Sequence, residues 1–257
     1  MIKKNKIKAK LKNNQLAIGS WVLSNSTVAC EIMSQSGFDW VCVDAEHSQV
    51  SKETALEMFR AIELYGAEPF VRISLCDEVE IKKYLDMGAR GLIIPMVKSH
   101  EDVKRAISYI KFPPEGNRSF ALPRSTGYGQ WSDEYFKKSN EEIFIAIMIE
   151  HIDAIPELDN IFSYSEIDAV FVGPYDLSGS MRIPGEFENP KFIEIIELIN
   201  DKAKKHNVTM GYHEVRPTAE KINKLIINGF RFIACGMDTI FILEKSKEFA
   251  QIKRESR

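Results

Sequence analysis

The chain has 257 residues, 44% of them hydrophobic, which suits one large α/β domain with a sizeable core. Its formal net charge of −3 argues against a nucleic-acid binder that needs a basic face, and no apolar run reaches the ~18 residues of a membrane span. The four cysteines (Cys30, Cys42, Cys76 and Cys235) show no CxxC spacing. We therefore expect reduced thiols, a cytoplasmic protein and no zinc site.

The lysine-rich start of the chain lacks the apolar core of a secretion signal. Ile7 and Leu11 lie four residues apart, which predicts a short solvated helix. A nucleic-acid-binding arm is the alternative that such a lysine run leaves open.

Short apolar segments alternate with helix-like segments along the rest of the chain. Ser51, Asp77 and Ser99 are capping residues at predicted helix starts, and Gly66 and Gly88 follow two predicted helix ends. The predicted strands are residues 16–23, 40–43, 69–73, 91–95, 144–149, 169–172, 208–212 and 232–235. The predicted helices are residues 27–36, 52–64, 78–87, 99–110, 155–162, 190–206, 217–228 and 238–253.

Strict alternation of strands and helices predicts a parallel sheet, and eight such units predict a closed (β/α)8 TIM barrel. The absence of a linker predicts that residues 1–257 form a single domain. A doubly wound open sheet is the alternative, but residues 20–25 after the first strand do not read GxGxxG.

Residues 112–128 (FPPEGNRSFALPRSTGY) form a long predicted loop with no period. Loops of this length in a compact domain are usually functional or disordered, and the arginines and aromatic residues favour a functional role. Residues 181–189 form a second irregular loop.

Polar side chains follow the predicted strands at the edge where barrel enzymes place their chemistry. Glu150 ends the fifth strand and Asp176 follows the sixth, so two carboxylates of neighbouring strands would lie side by side. With no cysteine pattern nearby, they predict a hard divalent ion such as Mg²⁺ or Mn²⁺. The alternative for Asp176 is a simple helix N-cap. The strand-end polar residues are Asp44, Glu46, His47, Arg72, Glu150, His151, Asp176, His213 and Glu214.

Two of these residues have chemistry that suits a 2-oxo acid. Arg72 can hold a carboxylate or developing negative charge with its planar fork, although a structural salt bridge is the alternative. Histidine as a residue type has an unperturbed pKa near neutrality, so a histidine at position 47 can move a proton, although a lone loop histidine is often only structural. A metal, an arginine and a histidine around a ketone predict carbon–carbon bond cleavage beside it. No lysine ends a predicted strand, which argues against a Schiff-base aldolase.

These residues lie in segments that together resemble the HpcH/HpaI aldolase family of metal-dependent class II pyruvate aldolases. The similarity runs from about Asn5 to Phe249. The segments are IGSWV at 18–22, DWVCVDAEHS at 39–48, VRI at 71–73, YLDMGARGLIIPMV at 84–97, PPEGNRS at 113–119, MIE at 148–150 and VGPYDLS at 172–178.

The resemblance implies a homo-oligomer, a hexamer built as a trimer of dimers, in which the last helix is exchanged between neighbouring subunits. It also implies reversible cleavage of a 2-oxo-4-hydroxy acid, such as a 2-keto-3-deoxy sugar acid, into pyruvate and an aldehyde. An acyl-CoA lyase of the same superfamily and a non-catalytic barrel that binds a 2-oxo acid are the alternatives.

Position by position, the resemblance implies roles for eight residues. Glu150 and Asp176 match the ligands of a divalent metal, Mg²⁺ or Mn²⁺ with Co²⁺ as a further option. His47 matches the catalytic base, and Asp86 matches an aspartate that raises the basicity of that histidine. Because Asp86 precedes the fourth strand, it would act from a neighbouring subunit, or Asp44 would orient His47 instead. Arg72 matches the catalytic residue that stabilises the enolate, and Tyr175 matches a position that binds the substrate carboxylate through its backbone amide. The implied substrate contacts are Arg72, Met148, Gly173, Tyr175 and Asp176.

Three positions depart from the family pattern. Met148 stands where some members have a glutamine that contacts substrate. Arg182 replaces a common glycine, and Asn189 replaces a common histidine. These departures leave the aldehyde half of the substrate least determined.

Overall fold

The computed structural model describes residues 2–255, and eight parallel strands in this range close into a barrel. Each strand pairs with the next along the chain, and the last pairs with the first. This arrangement confirms the predicted (β/α)8 barrel. The strands are β1 (Ala17–Val22), β2 (Trp40–Asp44), β3 (Glu68–Arg72), β4 (Gly91–Ile94), β5 (Phe144–Ile149), β6 (Ala169–Val172), β7 (Thr209–Glu214) and β8 (Phe232–Met237).

Helices cover the outside of the barrel, and three of them begin directly after the predicted capping residues Ser51, Asp77 and Ser99. Ser99 and Asp102 form the full capping box, and Gly88 ends a helix at φ 110°. No helix within residues 2–255 is both long and apolar enough to cross a bilayer. The helices are α1 (Lys6–Lys12), α2 (Thr27–Gln35), α3 (Lys52–Leu64), α4 (Glu78–Met87), α5 (His100–Ile110), α6 (Ser132–Glu142), α7 (Leu158–Ile161), α8 (Pro174–Ser180), α9 (Pro190–Lys205), α10 (Ala219–Ile227) and α11 (Asp238–Glu255).

Aromatic rings fill the barrel interior. The ring of Trp40 stacks on Phe232 and Phe70 at centroid distances of 4.6 and 5.4 Å. Glycine makes room for these rings, because a Cβ on Gly19 would lie 2.1 Å from Trp40 and one on Gly91 would lie 2.5 Å from Phe70. The interior is therefore a packed core rather than a pore, and the open space lies at its ends.

The N-terminal helix α1 forms where predicted, but the prediction that it is solvated was wrong. Ile7 is fully buried against the aromatic core of the barrel. Asn5 is also buried, caps α1, and donates from its side chain to the carbonyls of Arg90 and Glu142. The helix closes the N-terminal end of the barrel because one apolar side chain replaces water there.

The long loop after α5 lies at that same N-terminal end. Its Arg118 donates to Asp86 at 2.8 Å, and its Arg124 donates to the carbonyl of Met87 at 2.9 Å. Helix α6 follows the loop and was not predicted, because its polar sequence carries little apolar periodicity. The segment predicted as helix 155–162 is instead a 3₁₀ helix, Ile152–Glu157, followed by the short α7.

Candidate functional site

A cavity of about 530 Å³ opens at the C-terminal ends of the strands. Its walls are mostly apolar, with a few polar groups, as in small-molecule sites. Six of the eight residues singled out by the family resemblance line it: His47, Arg72, Met148, Gly173, Tyr175 and Asp176.

Glu150 lies against Gly173, which lines this cavity. Its side chain is buried, and Oε1 accepts a 2.6 Å hydrogen bond from the Met96 amide. A Cβ on Gly173 would lie 2.4 Å from Oε2, so only glycine lets the chain pass this carboxylate. Burial, with the nearby charges of Glu46 and Asp176, raises the pKa of Glu150 to about 7.

Asp176 lies in the first turn of α8 rather than in a loop. Gly173 occupies the N-cap position of this helix, so the alternative prediction of Asp176 as the N-cap was wrong. No described residue donates a hydrogen bond to the Asp176 carboxylate. The carboxylate is therefore free to bind a cation or a ligand in the cavity.

Arg72 is held by a buried carboxylate. Its Nε and Nη2 atoms donate to the two oxygens of Asp44, which is fully buried, with an Nε to Oδ1 distance of 3.0 Å. The guanidinium also lies over the ring of Trp21, 4.6 Å from its centroid. Burial alone would lower the pKa of Arg72, but the bonds to Asp44 and the charge of Glu46 raise it. A structural salt bridge is thus present, and the guanidinium still lines the cavity.

His47 lies in the turn after β2 with 63% of its side chain exposed. Asp44 Oδ1 accepts hydrogen bonds from the backbone amides of Glu46 and His47, so this one carboxylate organises both Arg72 and the His47 turn. Asp86 is near the end of α4, at the opposite end of the barrel, and pairs with Arg118. Within one chain, Asp44 orients the turn that carries His47, and Asp86 does not contact it.

Several other strand-end residues have structural contacts instead. His151 accepts from the Asp153 amide at 3.2 Å, and Glu214 pairs with Lys221 at 3.0 Å. Of the three departures from the family pattern, Met148 lines the cavity, Asn189 caps α9, and Arg182 is exposed outside the cavity lining.

The sequence did not single out the apolar lining of the cavity. Trp21, Phe171 and Phe187 line it, and each read only as a core or loop residue. The one sequence feature that could have identified these three residues is their position on or after strands that end at the cavity.

The carboxylates of Glu150 and Asp176 fit a divalent ion that keeps open coordination positions. Within residues 2–255, no group of three or more His, Cys, Asp or Glu side chains could hold a metal alone. The pair Glu150 and Asp176 instead suits a hard cation whose remaining ligands are water and substrate oxygens. The charges that raise the pKa of Glu150 are the ones such a cation would compensate.

Comparison with known proteins agrees with this architecture. Residues 17–244 match the model of the HpcH/HpaI aldolase/citrate lyase family. A hydroxypyruvate/pyruvate aldolase of Sagittula stellata is 35% identical over 93% of this chain and 94% of its own. A 2-dehydro-3,6-dideoxy-6-sulfogluconate aldolase of Pseudomonas putida is 31% identical over 93% of this chain and 92% of its own.

Solved structures show the same relationship. An HpcH/HpaI aldolase from Desulfitobacterium hafniense superposes with a TM-score of 0.87 at 26% identity, covering 96% of each chain. A citrate lyase beta subunit from M. tuberculosis is only 10% identical, with a TM-score of 0.57 over 90% of this chain and 93% of its own, and shows the fold alone. Because the family model spans most of the chain, this protein belongs to the HpcH/HpaI aldolase/citrate lyase family.

Proposed function

We propose that the protein is a divalent-metal-dependent aldolase. It reversibly cleaves a 2-oxo-4-hydroxy acid, such as a 2-keto-3-deoxy sugar acid, into a 2-oxo acid of the pyruvate type and an aldehyde. The observation that carries this proposal is that Asp176 and Arg72 line one cavity, while the Glu150 carboxylate lies against Gly173 of its wall and interacts electrostatically with both. Family membership and aldolase relatives at 31–35% identity support it.

Glu150 and Asp176 would hold the ion, with Mg²⁺ or Mn²⁺ preferred and Co²⁺ as a further option. When bound, such an ion supplies Lewis-acid polarisation of the substrate ketone. Members of this family generally depend on a divalent metal.

The protein's own groups carry the remaining steps. The amides of Tyr175 and Asp176, free at the first turn of α8, bind the substrate carboxylate. His47 removes the proton of the C4 hydroxyl, the C3–C4 bond breaks, and C4 leaves as the aldehyde. The electron pair of that bond passes toward the ketone oxygen, where Arg72 stabilises the negative charge. A proton then returns to C3 to give the free 2-oxo acid.

Met148 and Gly173 shape the wall beside this substrate. Asp86 of a neighbouring subunit is proposed to reach His47 in the assembly, where Arg118 would fix its carboxylate through the 2.8 Å bond.

The two rival functions have less support. For the acyl-CoA lyase alternative, the likeness to a citrate lyase beta subunit is one of fold, at 10% identity. A non-catalytic binding barrel would leave the exposed His47 and the free Asp176 carboxylate without a role.

Metal removal tests the proposed function. Chelation with EDTA is expected to stop release of the 2-oxo acid from 2-keto-3-deoxy sugar acids, and Mn²⁺ or Mg²⁺ should restore it. A coupled lactate dehydrogenase assay measures the product. Full turnover in EDTA would exclude a role of the metal in catalysis. Absence of turnover on a panel of such acids would favour a non-catalytic binding barrel.

We also propose that α11 is exchanged between subunits of a hexamer. Its apolar side chains Ile242, Phe249 and Ile252 are 56–60% exposed, and so are Val28 and Ile32 of α2, at 56–62%. A partner chain would remove both faces from water. Analytical ultracentrifugation is expected to give six subunits, and Phe249→Asp with Ile252→Asp should give smaller species. A monomeric wild-type chain would contradict the proposal.

A further inference from the structure

His213 is a half-buried histidine that the proposed mechanism does not use. It lies near the end of β7 and lines the cavity. Its ring stacks on Trp21 with a centroid distance of 5.4 Å and an interplanar angle of 20°. Its Nε2 lies 3.1 Å from the carbonyl oxygen of Gly236. Stacking and this hydrogen bond together fix the orientation of the ring.

The hydrogen bond determines which ring nitrogen carries the proton. A carbonyl oxygen only accepts, so Nε2 must be the donor. Burial, assisted by the positive charge of Arg72, lowers the pKa of His213 to about 4, so the ring is neutral at physiological pH. Nδ1 is then an acceptor, and no described residue donates a hydrogen bond to it. His213, which lines the cavity, therefore has a fixed neutral acceptor with an unused lone pair.

His213 lies beside Arg72 in the cavity, on the side that the proposed function assigns to the 2-oxo acid. Arg72, the proposed partner of the enolate oxygen, packs on the same indole of Trp21 as His213 does. Phe171 and Met148 on the neighbouring walls are apolar and donate no hydrogen bond. An acceptor left unpaired beside a bound methyl group costs free energy, whereas a substrate hydroxyl satisfies it.

We infer that His213 is a specificity residue, whose Nδ1 accepts a hydrogen bond from a hydroxyl on C3 of the 2-oxo acid. The protein would thus prefer hydroxypyruvate to pyruvate as the nucleophilic partner in aldol addition. This inference rests on the proposed function for the identity of the reaction. A hydroxyl on the aldehyde is the other source of the same chemistry, and the experiment separates the two.

Two variants test this role. His213→Leu removes the acceptor, whereas His213→Asn keeps a hydrogen-bonding amide close to the position of Nδ1. His206→Asn is the matched control, since His206 bonds Asp159 at 2.8 Å, outside the cavity lining. The measurement is the ratio of kcat/KM for hydroxypyruvate to kcat/KM for pyruvate, with one aldehyde and saturating Mn²⁺. A second series holds pyruvate fixed and compares propanal with glycolaldehyde.

The hydroxypyruvate to pyruvate ratio is expected to fall at least ~10-fold in His213→Leu, to recover in part in His213→Asn, and to stay unchanged in His206→Asn. An unchanged ratio would overturn the inference, and so would an equal loss with both acids. A change only in the propanal to glycolaldehyde ratio would also overturn it, by assigning His213 to the aldehyde.

Equilibrium binding separates this inference from the proposed function. Each 2-oxo acid is titrated into the protein, and binding is followed by tryptophan fluorescence. The wild type is expected to bind hydroxypyruvate more tightly than pyruvate, and His213→Leu is expected to abolish this preference. Such a result without any aldol turnover would refute the proposed function and still support the role of His213. Equal binding of the two acids by the wild-type protein would refute the role of His213, whatever the turnover.

Discussion

Replacing Glu150 by glutamine is expected to lower metal-dependent aldol turnover at least ~10³-fold and to make the metal-free protein more stable. The amide keeps an oxygen that can accept the Met96 hydrogen bond, so the fold has no reason to change. It loses the negative charge that a divalent ion needs. Turnover at saturating Mn²⁺ and metal binding by calorimetry measure the loss.

The stability gain follows from the pKa of Glu150. Its value of about 7 in the folded protein lies above the ordinary 4.5, so the folded state favours the protonated form. The cost of ionising it is absent below pH 4.5 and fully present above pH 7. The free energy of unfolding of the variant should therefore equal that of the wild type near pH 4.5. At pH 8 without metal it should be higher than that of the wild type by as much as about 3 kcal/mol. Urea unfolding in EDTA at both pH values measures this difference.

Glu214→Gln is the matched control. Glu214 ends a neighbouring strand but pairs with Lys221 and lies outside the cavity lining. Its variant should keep both metal binding and turnover. A Glu150→Gln enzyme with wild-type metal affinity would remove Glu150 from the proposed ligand set. Added Mn²⁺ should make the wild type more stable than Glu150→Gln, because the ion binds the folded wild type and so stabilises it.

Arg72→Lys is expected to lower kcat by ~10²–10³-fold while the protein stays folded. Lysine can keep one ion pair with the buried Asp44, so the carboxylate is not left without a counter-charge. It cannot reproduce the two parallel bonds to Asp44 and still present a donor to the enolate oxygen. Steady-state kinetics, with circular dichroism to check folding, measures the effect.

Arg124→Lys provides the comparison for this change, because Arg124 lies at the opposite end of the barrel and pairs with Glu63. We expect its kcat to equal that of the wild type. If Arg72→Lys also kept the wild-type kcat, Arg72 would have only the structural role of neutralising Asp44.

Local sequence features were enough to predict the barrel. Apolar runs such as residues 144–149 and 169–172 are buried on both faces, and capping residues such as Ser99 determine where helices begin. Alternation then requires that all carboxyl ends of the strands meet at one edge. For the same reason, His47, Arg72 and Asp176 could be assigned to one site from their positions alone.

Contacts between segments that are distant along the chain could not be predicted from local sequence features. Ile7 reads as an exposed residue of a short helix, yet it closes the barrel because an open end of the aromatic core would face water. Helix α6 has too polar a sequence to show periodicity, and it forms because Tyr135 is buried against Phe112 and Arg118 of the preceding loop.

The eightfold alternation and the residue types that end each strand depend on neighbours along the chain, so both could be predicted from the sequence. The bond between Asp44 and Arg72, the passage of Gly173 beside Glu150 and the stacking of His213 on Trp21 became visible in the folded barrel. Pairing, burial and the resulting pKa values depend on distances across strands. Those distances are set by barrel closure and side-chain packing.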